Sequence, residues 1–189
     1  MRIRVITAAA AVVLGSVFAI GSIAQGTGAA EKLETKDVKF GDAKLYDHPR
    51  FSMNLPASWN ITDKTTGDET ILTIMDGTEN AVLVIHVWRD ATALSEEAKT
   101  KVLKDFLLQT IGDFKNMDMG DPKTQKDQSI GIYFKYDQES GGKLYPMYGD
   151  SFIDQKRDLV ALLFFVTPKE QYDRHKDEAY KIINSFALK

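Results

Sequence analysis

The amino-acid sequence predicts an α+β fold, an antiparallel β-sheet covered by helices, on three observations. Two strand-like runs, Ala81 to Trp88 (AVLVIHVW) and Leu159 to Val166 (LVALLFFV), are apolar on both faces, as central strands with cover on each side must be. One long segment, Ser95 to Phe114, has helical periodicity and follows the first of these runs. A second helical segment opens at Thr167-Pro168 directly after the last run, so helices and strands form a layered domain.

The elements are read in chain order. Phe51, Met53 and Leu55 alternate with polar residues until Pro56, and Trp59 to Thr62 resumes the extended run after a turn at Ala57-Ser58, which predicts a hairpin-like entry. Glu69 to Met75 and Ala81 to Trp88 are β-branched runs joined by a loop containing Gly77, an expected antiparallel pair. In the helix over Ser95 to Phe114, Ser95 is positioned to cap, and Glu96 and Glu97 favour the positive end of the dipole. Ala98, Val102, Phe106, Thr110 and Phe114 recur every four residues, and Leu103, Leu107 and Ile111 widen the stripe.

Ser129 to Asp137 alternates as a strand, and Glu139-Ser140-Gly141-Gly142 turns it into Lys143 to Ile153, which Pro146 marks as an edge strand or a bulge. The last helix is expected to start with Thr167 as cap, Pro168 at its first position and Glu170 closing a capping box. Its stripe is Tyr172, His175, Ala179, Ile183 and Phe186.

The first 30 residues read as a signal peptide and flexible leader: Arg2 and Arg4, then an apolar stretch from Val5 to Ile20, then small residues that place cleavage at Ala24 or Ala30. Residues 31–38 read as a tether poor in large apolar side chains, and residues 39–189 as one domain, large enough to need no staple. The expected location is periplasmic or secreted, with membrane contact only through the leader if it stays uncleaved.

Removing the two leader arginines takes the formal net charge from −3 to −5, and the remaining Lys and Asp or Glu alternate closely, as in Asp121 to Asp127. This disfavours nucleic acid, which requires clustered cations. The chain has no cysteine, so disulfides, thiol catalysis, thiolate metal sites and a lipid-modified cysteine are excluded.

The three histidines, His48, His86 and His175, are too scattered for a zinc pattern. His86 reads as a hydrogen-bonded core or sheet residue and His175 as a core-edge one, while Asp47-His48 lacks a nucleophile beside it. Asp118 and Asp121 flank a turn before Pro122. The sequence contains no nucleophile elbow, phosphate-binding loop or dinucleotide fingerprint. No enzyme activity, cofactor or metal is therefore expected. The cluster Leu144-Tyr145-Pro146-Met147-Tyr148 holds the candidate protein-binding residues, Tyr145, Met147 and Tyr148, because Tyr and Met are common interface anchors, although one face of any such strand must serve the core.

Phe51-Ser52-Met53-Asn54-Leu55-Pro56-Ala57-Ser58-Trp59, the Asn80 to Val84 strand lead and Ile183-Asn184-Ser185-Phe186 together resemble the PsbP-like fold family, over roughly Phe51 to Phe186. That family includes bacterial DcrB-type envelope proteins, the nearest in kind, and a Ran-binding nuclear transport factor. The resemblance implies non-enzymatic docking onto a protein partner in the cell envelope, and it carries no binding motif across residue by residue. The alternatives are a small-ligand or metal-binding periplasmic protein, and a hydrolase whose residues converge only in three dimensions.

Overall fold

The two runs that are apolar on both faces lie side by side. In the computed structural model, which describes residues 43–78, 80–125 and 127–189, β5 (Val82–Arg89) pairs antiparallel with β10 (Leu159–Pro168), from Val82↔Val166 to Arg89↔Leu159. The segments expected to form the signal peptide, its cleavage points and the tether lie outside the described residues. Around this pair an eight-stranded sheet runs in the order β3 (Trp59–Thr66), β4 (Glu69–Asp76), β5, β10, β9 (Lys143–Lys156), β8 (Ile130–Ser140) and β6 (Lys115–Met119). The short β7 (Lys123–Thr124) also pairs with β8. The β4–β5 pair is antiparallel, as its two β-branched runs predict.

Each face of the sheet has its own core. On one, Val82, Val84, Leu162 and Phe164 meet Leu103, Phe106 and Leu107 of helix α1 (Glu96–Ile111). On the other, Leu83, Ile85, Leu163 and Phe165 meet Ala179 and Ile182 of helix α2 (Tyr172–Ser185), with Phe51 and Met53 of a small separate sheet. Each fully buried Leu, Ile or Phe contributes roughly 1.5–3 kcal/mol, so the alternation of side chains along β5 and β10 is what holds both layers to one sheet. Among the described residues no helix is long and apolar enough to cross a membrane.

The expected entry hairpin does not form. β2 (Phe51–Leu55) pairs instead with β1 (Lys44–His48) and β11 (Ala187–Leu188) in the small sheet, while Trp59 begins β3 against β4. A tight turn, closed by the Trp59 N–H to the Pro56 carbonyl at 3.1 Å, carries the chain from one sheet to the other. Trp59 is buried over the core, and its Nε1 donates to Glu178 of α2 at 3.0 Å.

Three further boundaries differ from expectation. Helix α1 is capped by the Ser95 hydroxyl as expected, but ends at Ile111, and Phe114 leads into β6. Phe114 still serves the core, stacked on Tyr136 with centroids 4.7 Å apart. Strand β9 is internal, not an edge. Pro146 nevertheless lies one residue beyond the last β10 partner, Pro168↔Met147, and has only Asp137 of β8 beside it, so its missing N–H breaks no ladder toward β10. Thr167 does not cap a helix: paired with Tyr148, it is buried in β10, its hydroxyl without a hydrogen bond, and a 3₁₀ turn (Lys169–Gln171) precedes α2. Gln171 stands at the N-cap of α2 with no side-chain cap bond. Strand pairing outweighs the capping box here.

Candidate functional site

Helix α2 lies along β10, and the neighbouring β8–β9 strip on the same face of the sheet is only partly covered. Register places Lys135 beside Tyr148, Tyr133 beside Asp150 and Gly131 beside Phe152 on that strip. Tyr133 is 37% exposed, and Lys135, Tyr148 and Tyr180 are half-buried. The wall of the resulting groove is one line of α2, Tyr172, Lys176 and Tyr180, spaced four residues apart and so stacked turn over turn.

Three tyrosines form a mutual edge-to-face cluster. Tyr133 and Tyr148 have centroids 5.8 Å apart at 87°, Tyr133 and Tyr172 6.0 Å at 70°, and Tyr148 and Tyr172 5.8 Å at 73°. Such ring geometry contributes about 0.5–1.5 kcal/mol per pair beyond area burial. Lysines sit over the outer rings: Lys176 Nζ lies 5.2 Å from the Tyr172 centroid and 5.5 Å from that of Tyr180, and Lys169 Nζ 5.7 Å from that of Tyr148.

At the base of the cluster is a carboxylate. Asp150 is 7% exposed, accepts a hydrogen bond from the Tyr172 hydroxyl, and has the Tyr180 hydroxyl turned toward it. Burial pushes the Asp150 carboxyl above its ordinary value, against the opposing pull of the Tyr172 bond, the Lys176 charge and the Tyr180 bond. Burial and the adjacent carboxylate raise the Tyr172 and Tyr180 phenols well beyond the ordinary range, and burial first, then Tyr148 and Asp150, raises Tyr133. All three phenols therefore stay protonated donors near neutrality. The site offers flat aromatic surface, phenol O–H groups and two ammonium groups around a buried acceptor, the composition of a recognition surface.

Past Tyr180 the groove deepens into a cleft of ≈340 Å³ between α2, β9 and the residues Gln125, Asp127 and Ser129. Phe152 and Tyr180 meet edge to face at its mouth, centroids 5.7 Å apart and planes at 87°. Gly131 leaves the room for Phe152: a Cβ there would stand 2.9 Å from its ring.

Of the candidate binding residues, only Tyr148 belongs to this site. Met147 is buried in the core on the α1 side of β9, and Tyr145, exposed near the β8–β9 turn, projects from that same opposite side. The three residues do not form one surface, because neighbours along a strand face opposite ways. The residues that sequence reasoning passed over are Tyr133, Asp150, Tyr172, Lys176 and Tyr180. Two signals mark four of them, the Tyr-x₃-Lys-x₃-Tyr spacing on α2 and the acid Asp150 at a buried position of β9, while nothing local marks Tyr133 on β8.

The histidines lie elsewhere. His86 packs against Trp88 on the α1 side of β5, centroids 4.9 Å apart, and contrary to expectation neither ring nitrogen has a hydrogen bond. Glu69 lies 3.8 Å from its Nε2. His175 is buried with Nε2 2.9 Å from Gln171 Oε1, and His48 stacks on Phe51. Asp47 beside His48 is engaged by Lys189 at 2.6 Å. Among the described residues no three His, Cys, Asp or Glu side chains converge as a metal would require.

No protein-family model and no curated protein sequence matches this chain. Solved structures do. The solution structure of cyanobacterial PsbP (CyanoP) from Synechocystis sp. PCC 6803 is similar with a TM-score of 0.60 and 11% identity, over 86% of this chain and 99% of that one. The Ran-binding protein Mog1p of Saccharomyces cerevisiae gives 0.49 and 9% identity over 77% and 95%. LpqN of Mycobacterium tuberculosis, described as involved in cell envelope biogenesis, gives 0.44 and 11% over 77% and 90%. The architecture is thus the PsbP-like fold, a large antiparallel sheet with two helices packed against it, as the order of elements along the chain and the opening and closing signatures predict.

Proposed function

We propose that this chain is an exported, non-enzymatic accessory protein of the cell envelope that docks on a protein partner through the β8–β9 strip and the adjoining wall of α2. Within the PsbP-like fold we place it with the DcrB-type envelope proteins, on the Phe51 to Trp59 opening and the Ile183 to Phe186 close. The observation that carries the docking reading is the edge-to-face cluster of Tyr133, Tyr148 and Tyr172 on a partly open sheet face. Tyrosine contributes large contact area with little side-chain entropy to lose and keeps a hydroxyl for polar contacts, which is why it recurs at binding hot spots. A location outside the cytoplasm is supported by the three-part leader.

Site-specific photocrosslinking tests the reading. A benzophenone amino acid is placed at Tyr133, at Tyr148 or at Lys104, an exposed position on the opposite helix α1. The expected outcome is one protein adduct shared by positions 133 and 148 and absent at 104. Adducts equal at all three positions, or no adduct together with Asp150-dependent turnover of a test ester or glycoside, overturn it.

A further inference from the structure

The ≈340 Å³ cleft beyond Tyr180 has an uneven lining. Its floor is Leu163, Ile183 and Phe186, and its aromatic mouth is Phe152 with Tyr180. Its polar side carries two carboxylates, Asp127 and Asp154, and among the described lining residues there is no cationic side chain. Each carboxylate is already oriented. Asp127 Oδ1 accepts from the Ser129 N–H at 3.0 Å and from the Ser129 hydroxyl at 2.7 Å, and Asp154 Oδ1 accepts from the Gln155 N–H at 2.7 Å. The second oxygen of each has no hydrogen bond or ion pair given by the described residues.

That combination selects among ligands. An anion is repelled by two carboxylates. A bare divalent cation needs oxygen donors on most sides, whereas one side of this cleft is hydrocarbon. A guanidinium on an aliphatic stem suits both halves: its fork of N–H donors matches a carboxylate such as Asp127 or Asp154, its plane suits the Phe152 and Tyr180 rings, and its methylenes suit Leu163 and Ile183. Its weaker hydration also makes arginine easier to bring against aromatic rings than lysine.

We infer that this cleft receives an arginine side chain presented by the docked partner. The inference rests on the docking reading above, because Tyr180 belongs to both places: it lines the cleft, and its hydroxyl turns toward Asp150 beneath the tyrosine cluster. A partner lying along Tyr133 and Tyr148 is thereby led toward the cleft.

The test uses blocked single amino acids, so that it does not depend on finding the partner. ¹⁵N-labelled full-length protein is titrated with N-acetylarginine methylamide, with the isosteric citrulline compound and with the lysine compound, and amide shifts are followed by NMR. Saturable shifts at Phe152, Asp154, Tyr180 and Asn184 are expected for arginine. Affinity is expected to fall about tenfold for citrulline and in the Asp127→Asn/Asp154→Asn double variant, the size of effect that loss of charge-assisted bonds produces. Lysine should bind more weakly than arginine. Equal binding of citrulline and arginine, shifts outside the cleft, no saturable shift in the parent, or equal arginine binding by the parent and a double variant that melts alike, each overturn the inference. If arginine fails while the crosslink at 133 and 148 persists, only this inference falls. If arginine binds and no crosslink forms, the cleft stands and the docking surface falls.

Discussion

The Tyr172 hydroxyl, on the first turn of α2, donates to the carboxylate of Asp150, buried in the middle of β9. One bond thus joins the helix to the sheet directly under the aromatic cluster. A buried carboxylate with phenol partners is costly to ionise, so its presence there is not a packing convenience.

Asp150→Asn retains an acceptor for Tyr172 and removes the buried charge. The variant is expected to gain stability at neutral pH, on the order of 1 kcal/mol, the low end of what replacing buried charge returns. Because the folded carboxyl is raised above its ordinary value, the unfolded chain ionises first as pH rises, and the stability difference should shrink toward acid pH. Urea titrations near neutrality and near the ordinary carboxyl value check this, and an Asn variant that is less stable at neutral pH contradicts it.

Tyr172→Phe acts in the opposite direction. It removes one of the two phenol donors of buried Asp150, leaving Tyr180, and should cost about 1–3 kcal/mol. In the Asp150→Asn background the cost should fall, since a neutral amide needs the donor less, and a double-mutant cycle by chemical denaturation measures the difference.

Stability should fall on acidification below about pH 6.5. Burial lowers the His86 imidazole against the opposing charge of Glu69, and lowers His175 against Asp76 and Glu178. Between the lowered folded values and 6.5 the unfolded chain binds the extra protons, so the contribution is intact above that window and lost as pH falls through it. Asp150 contributes with the opposite sign, so the Asp150→Asn background isolates the effect. His86→Leu should flatten the slope, and an unchanged slope counts against a neutral buried His86.

Gly149→Ala should cost about 3 kcal/mol or more, or prevent folding. A Cβ at Gly149 would stand 2.2 Å from the Phe165 carbonyl oxygen and 2.4 Å from Phe134 Cζ, and the carbonyl belongs to a central strand that cannot yield. A thermal melt checks it. Gly131→Ala, which meets the Phe152 ring instead, should cost less because a ring can turn.

Asp76→Ala should cost about 2–3 kcal/mol. The Asp76 carboxylate accepts from the Thr78 N–H and hydroxyl and from the Asn80 and Ala81 N–H groups, both at 2.8 Å, and so closes the β4–β5 loop. Loss of stability without change in the Tyr133 crosslink is the expected result, which separates this structural acid from Asp150.

Local pattern located β4, β5, β8, β10 and both helices: β5 and β10 as runs apolar on both faces, β4 by its β-branched content, and β8 and the helices by a buried stripe whose spacing is local information. It missed β1, β6, β7 and β11, which are short or exposed along much of their length and exist because another strand offers an edge. Thr167 shows the same limit: its sequence context favours a helix cap, and its ladder position beside Tyr148 overrides that context.

Residue order by itself therefore determined the layered α+β class, the central strands and the likeness of the opening and closing signatures to one fold. Only the tertiary structure decided which tyrosines meet. Tyr133, Tyr148 and Tyr172 come from three elements, and their contact depends on strand register and on where α2 lies across the sheet. Alternation along one strand says which residues share a side; it carries no information about what another element lays beside them.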